Sequence, residues 1–247
     1  MKWIKPALLV LAALAGFVAA LPASWLSWPV ERATGGRWNL SSAEGTVWNG
    51  RGQFVFTDKE LGSLPMSVVE WHFQGKRLLQ GKLAWEVGSE GEKGVWQAGW
   101  RGWQIERARF SLPMAAVARL SPEWKSAGLG GQLVVSSDRF SANEETLSGN
   151  VRVEWHAATS SLTRVAPFGS YALDVAGNGK SLVLHVGTLD GDLMIEGNGQ
   201  WQAGAPMLLS GVAESRPERF EVLKPLLLML GQPNGNNGVN WQLRSAR

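Results

Sequence analysis

The chain has 247 residues, a formal net charge of +3 and no cysteine. The missing thiols exclude disulfides, an acylated lipoprotein cysteine and thiolate metal sites, and so small a charge, dispersed along the chain, excludes a nucleic-acid groove. The 14 tryptophans and 30 glycines, against 1 tyrosine, point to a protein of strands and turns with indoles packed on its sheet faces.

Residues 6–30 carry no charge, and only Lys2, Lys5 and the amino terminus are charged before them. About 20 apolar residues cross a bilayer core as one helix. Lys2 and Lys5 would hold the start in the cytoplasm, and Trp25 and Trp28 fall where an interfacial aromatic belt would lie. A cleaved signal peptide is the competing reading, with residues 8–21 as its apolar region and Val18-Ala19-Ala20 as its small-residue site. Retention is favoured because the uncharged run continues beyond Ala20, Pro22 sits close to that cut, and two tryptophans follow. The expectation is a single-pass anchor over residues 1–30, its interfacial end near 22–30, followed by a periplasmic β domain over residues 31–247.

Beyond the anchor, apolar residues recur at every second position between glycine-rich turns, the mark of half-buried antiparallel strands. Val69, Trp71 and Phe73 alternate with polar neighbours, as do Leu83, Trp85 and Val87, then Val151, Val153 and Trp155, then Leu182, Leu184 and Val186, and last Val239, Trp241 and Leu243. Helical pattern is confined to residues 113–120, 122–125 and 217–230. In the last, Ser215 and Glu218 have capping-box spacing, Pro217 suits the first turn, Phe220, Leu223, Leu227 and Leu230 form a stripe, Pro225 predicts a kink, and Gly231 predicts the end. The fold expected is mainly β: a curved, largely antiparallel sheet in two similar halves with a few short helices and a soft boundary near residues 126–131. A weak repeat pairs residues 146–151 with 188–193, and Trp96-Gln97-Ala98-Gly99 with Trp201-Gln202-Ala203-Gly204, as reused hairpin geometry.

Catalytic constellations are missing. His72, His156 and His185 are scattered over strand patterns without partners at metal-ligand spacing. Gly179-Lys180-Ser181 resembles the end of a phosphate loop, but Asp174 stands where that loop needs glycine. Glu144-Glu145 lies in a polar turn, and no G-x-S-x-G elbow is present. No catalytic, cofactor or metal residues are assigned, and an enzyme is not expected. Stacking of sugars on the tryptophans is the remaining enzymatic or lectin-like alternative.

The stretch 44–52, Glu-Gly-Thr-Val-Trp-Asn-Gly-Arg-Gly, reads as a turn between two strands, with Gly45, Gly50 and Gly52 taking angles other residues resist and Trp48 covering the hairpin. Together with the amino-terminal anchor, residues 166–173 (Ala-Pro-Phe-Gly-Ser-Tyr-Ala-Leu), residues 188–201 and the terminal helix with its glycine-asparagine turn, it resembles the type II secretion system protein N family over nearly the whole chain. The resemblance implies an accessory inner-membrane component of the general secretory pathway of Gram-negative bacteria. It implies other secretion components as partners and no catalytic residues to carry over. A second reading, from the apolar sheet face and by analogy of architecture, is a membrane-anchored groove that binds or transfers phospholipid.

Overall fold

The computed structural model describes residues 14, 16–58, 62–89, 91–119, 124, 126–235 and 237–244. Lys2, Lys5 and residues 6–13 and 15 of the uncharged run lie outside them, as does the segment 122–125 apart from Trp124. Among the described residues no helix is long and apolar enough to cross a membrane. Contacts group the chain into two compact units, Met1–Trp96 and Gln97–Arg247.

In the first unit residues 16–19 are helical, and the helix stops before Leu21 and Pro22. Pro22 bridges to Thr46 instead. A 3-10 turn, Ala23–Leu26, and helix α1, Ser27–Ala33, follow, so the second half of the uncharged run belongs to the folded unit. Ala23 is buried against Leu40 and Trp71. Strands β1 (Trp38–Gly45), β2 (Asn49–Asp58), β3 (Gly62–Phe73) and β4 (Leu83–Ser89) then form an antiparallel meander. The expected alternation holds in part. Trp85 and Val87 pack on the small core of this unit, whereas Leu83 lies exposed at the strand's start.

Strand β5 (Glu92–Gly99) carries the chain across the boundary. The second unit continues with β6 (Gly102–Pro113), helix α2 (Met114–Ala118), β7 (Gly130–Asn143), β8 (Leu147–Thr159), β9 (Gly169–Gly179), β10 (Ser181–Gly191), β11 (Leu193–Gln202) and β12 (Leu208–Ser215). Each of these strands pairs antiparallel with the next. The sequence 126–131 falls inside this unit, where Ala127 and Leu129 are buried with Met114 and Ala118.

After β12 the chain leaves the sheet through a 3-10 turn, Pro217–Arg219, and helix α3, Phe220–Leu230. It returns as β13 (Gln232–Pro233) and β14 (Gly238–Arg244), with β14 seated between β12 and β13. The apolar stripe of α3 is buried as expected: Leu223, Leu226 and Leu227 join Leu193, Leu209, Val239 and Trp241 in the main core, with Phe220 and Leu230 at its margin. The expected capping box does not form. Ser215 is still the last residue of β12, its backbone N–H bonded to Asn237, and its buried hydroxyl has no hydrogen-bond partner among the described residues. Extended pairing there outcompetes the side-chain cap. Gly231 does end the helix, but with extended backbone; its requirement is space, since a Cβ would lie 2.1 Å from the Asn240 carbonyl oxygen.

The repeats divide. Trp96–Gly99 and Trp201–Gly204 both end strands and enter turns. Residues 146–151 open β8, however, whereas 188–193 form the β10–β11 corner, so this pair is not one reused hairpin.

Candidate interaction surface

The hairpin singled out in the sequence is the best-organised polar and aromatic junction of the first unit. Gly45 pairs with Gly50 across it, and the three residues between β1 and β2 are Thr46, Val47 and Trp48. Gly45 has φ +85°, in the left-handed region that favours glycine. Gly50 and Gly52 do not, which corrects the expectation for them. They are needed for close approach, because a Cβ would stand 2.7 Å from the Trp71 ring at Gly50 and 2.8 Å from Leu40 at Gly52.

Three indole N–H groups tie this turn down. Trp71 Nε1 donates to the Thr46 carbonyl (3.0 Å) and Trp85 Nε1 to the Val47 carbonyl (3.1 Å), while Trp48 Nε1 donates to the carbonyl of Val18 (2.8 Å). The Val47 N–H adds a bond to the Leu21 carbonyl (3.0 Å). Turn carbonyls that would otherwise need water are thereby satisfied by large apolar side chains, which couples hydrogen bonding to packing. Trp48 also stacks on Trp85 (6.2 Å between centroids, 8° between planes) and meets Phe73 edge-on at 4.9 Å; Trp85 continues to Trp96 at 5.5 Å. The sequence pointed to Trp48 and its glycines. It carried no sign of the link to Val18, which joins positions 30 residues apart.

Trp25 and Trp28 are exposed. Trp25 meets Phe17 edge-on, and the Arg32 guanidinium lies 5.4 Å over the Trp28 ring. They sit on the short helical pieces after Pro22, not in the turn itself.

The second unit holds an apolar cavity of about 490 Å³. Leu133 and Trp155 from β7 and β8, Tyr171 from β9, Leu226 and Met229 from α3, and Trp241 from β14 line it among others. Trp241 is buried, and its Nε1 has no acceptor among the described residues. Tyr171 donates its hydroxyl to the Leu193 carbonyl (2.9 Å), and burial pushes its phenol well above the usual range.

Titratable groups gather elsewhere, on the polar face of β8 and β9. Arg152 bonds Glu154 (2.9 Å) and its cross-strand partner Asp174 (3.0 Å), and His156 lies 3.0 Å from Glu154. The Arg152 guanidinium holds the Glu154 carboxyl below the ordinary carboxylate range, aided by His156 and opposed by partial burial. A depressed carboxylate stabilises the fold above its unfolded pKa, and the gain is lost as pH falls through the folded value. Arg152→Gln is therefore expected to flatten the acid limb of the stability curve, measured as thermal midpoint against pH from neutral to acidic. A limb as steep as wild type's would remove this pair as its source.

His185 bonds the Asn198 side chain at 2.9 Å, Gly179 and Lys180 form a tight β9–β10 turn rather than a phosphate loop, and Asn143 Oδ1 accepts from the backbone of Glu145 and Thr146 in the β7–β8 turn. Among the described residues no group of three or more histidines, aspartates or glutamates could hold a metal ion.

Comparison with known proteins gives one family. A family model described as type II secretion system (T2SS), protein N, matches residues 36–242. No curated protein and no solved structure matches the chain.

Proposed function

Because the chain belongs to the type II secretion system protein N family, we propose that it is an accessory inner-membrane component of that pathway, which exports folded proteins from the periplasm. It works through protein–protein contact. The observation that carries this reading is the match over residues 36–242, which includes both units rather than one motif. Residues 1–20, in which Lys2 and Lys5 precede the uncharged stretch 6–20, support a single-pass anchor with the β units in the periplasm; residues 21–30 belong to the folded unit. Pull-down from solubilised membranes is expected to recover other secretion components. Repeated recovery without any of them counts against the reading.

On this reading the turn around Trp48 supports the fold rather than a partner. Trp48 is half-buried, so Trp48→Ala is expected to cost about 1–2 kcal/mol, less than a fully buried tryptophan. In a strain lacking its own copy, export at matched protein levels should equal wild type. A defect with normal abundance and stability would make the hairpin a partner site.

A second reading is supported by the apolar cavity of the second unit. At roughly 30 Å³ for a water-sized group, its volume admits a single hydrocarbon chain of about sixteen atoms. Native mass spectrometry of gently extracted protein should then show phospholipid or fatty acid at near-stoichiometric amounts. Lipid-free protein from several mild extractions would remove this reading.

A further inference from the structure

The loop joining β3 to β4 is the least core-like apolar segment of the first unit. Residues 75–80 form a 3-10 turn, closed by Gly81 at φ +71°. Backbone bonds from Arg77 to Gln74, Gly81 to Leu78 and Lys82 to Arg77 define its shape. This ordered turn holds its leucines outward: Leu79 is 93% exposed, Leu78 52% and Leu83 43%. Lys76, Arg77 and Lys82 surround them, and no aspartate or glutamate occurs between residues 71 and 85.

Its position follows from the meander. Successive turns of antiparallel strands alternate between the two ends of a sheet, so the β1–β2 turn and the β3–β4 loop share one end. Hydrogen bonds show the adjacency, since the Phe73 N–H donates to the Trp48 carbonyl (2.8 Å) and the Gln74 N–H to the Ala84 carbonyl (2.8 Å). That end is also where the amino-terminal run arrives, with Val18 bonded to Trp48 and Leu21 to Val47.

We infer that the β3–β4 loop is a membrane-surface contact, with Leu78 and Leu79 entering the apolar margin of the bilayer and Lys76 and Lys82 meeting anionic headgroups. The inference rests on the anchoring proposed above and deepens it. A chain leaving the bilayer near Val18 brings this end of the sheet to the headgroup layer. There exposed leucines leave water and cations lie against negative charge. Sequence and placement together favour lipid over a protein partner: the leucines are flanked in sequence by Lys76, Arg77 and Lys82, and the loop shares a sheet end with the turn that bonds Val18 and Leu21.

The absence of native cysteine allows a direct test on the full chain. Single variants Leu79→Cys, Ser63→Cys and Leu9→Cys would carry an environment-sensitive fluorophore in vesicles of phosphatidylcholine, with or without phosphatidylglycerol, containing nitroxide-labelled lipid. Ser63 lies at the far end of β3, and Leu9 reports on the anchor. The expected result is blue-shifted, quenched emission at Leu79 in anionic vesicles, weakened by Lys76→Gln with Lys82→Gln, and no quenching at Ser63. Quenching at Leu9 with Leu79 as unquenched as Ser63 overturns the contact and leaves the anchor standing. Quenching at neither Leu9 nor Leu79 overturns both. Equal quenching at Leu79 with and without phosphatidylglycerol overturns the headgroup pairing.

Discussion

Leu223→Asp is expected to abolish the cooperative thermal transition of the second unit. Leu223 is 0% exposed and sits on α3 between Leu226, Leu227 and the strand residues Leu193, Leu209 and Val239. A carboxylate there has no partner, and an unpaired buried charge costs several kcal/mol even when it neutralises by taking a proton. Loss of the leucine adds about 2–5 kcal/mol for transfer and cavity. The sum rivals the 5–15 kcal/mol that typically separates folded from unfolded domains. Leu228→Asp, on the exposed face of the same helix, is the control and should stay within about 0.5 kcal/mol of wild type. Equal behaviour of the two variants, read by calorimetry, would show that the stripe is not buried.

What the sequence disclosed follows from which interactions are local. Alternation marked strands through β3, β8, β10 and β14, because a side-chain period of two belongs to the strand itself. The stripe of α3 was legible for the same reason. The capping box was not: Ser215 and Glu218 have the right spacing, but cross-strand pairing of Ser215 with Leu193 holds the serine in β12, a choice made by a residue 22 positions away. Ser42 and Ala157, at φ near +50°, coincide with register shifts in β1 and β8. Neither residue type announces a bulge, so the bends they create were invisible. At the candidate surface, glycine spacing located the turn, yet two of its three glycines serve close approach rather than backbone angle. The leucines of the β3–β4 loop carried no sign of a surface role, because their exposure and the sheet end they share with the turn that bonds Val18 are set by the meander.

Trp71→Ala should be the most damaging single change in the first unit, expected to cost about 3–5 kcal/mol. Trp71 is buried in the small core with Ala23 and Leu40, and its ring stands over Gly50, where no Cβ would fit. Its N–H satisfies the Thr46 carbonyl in the turn that also holds Pro22 and Leu21. Removing the indole therefore empties a core with few other members and leaves a turn carbonyl without its donor. Trp71→Phe separates the two effects. It keeps most of the apolar area and loses the N–H, so the hydrogen-bond share alone should be about 1 kcal/mol. Chemical denaturation of both variants gives the ratio, and limited proteolysis between Ala33 and Trp38 reads whether the amino-terminal segment has come away from the turn. If Trp71→Ala melts like wild type, the turn is held by Trp48 and Trp85 alone. The tie between the amino-terminal run and the sheet would then rest on the aromatic stack rather than on this core.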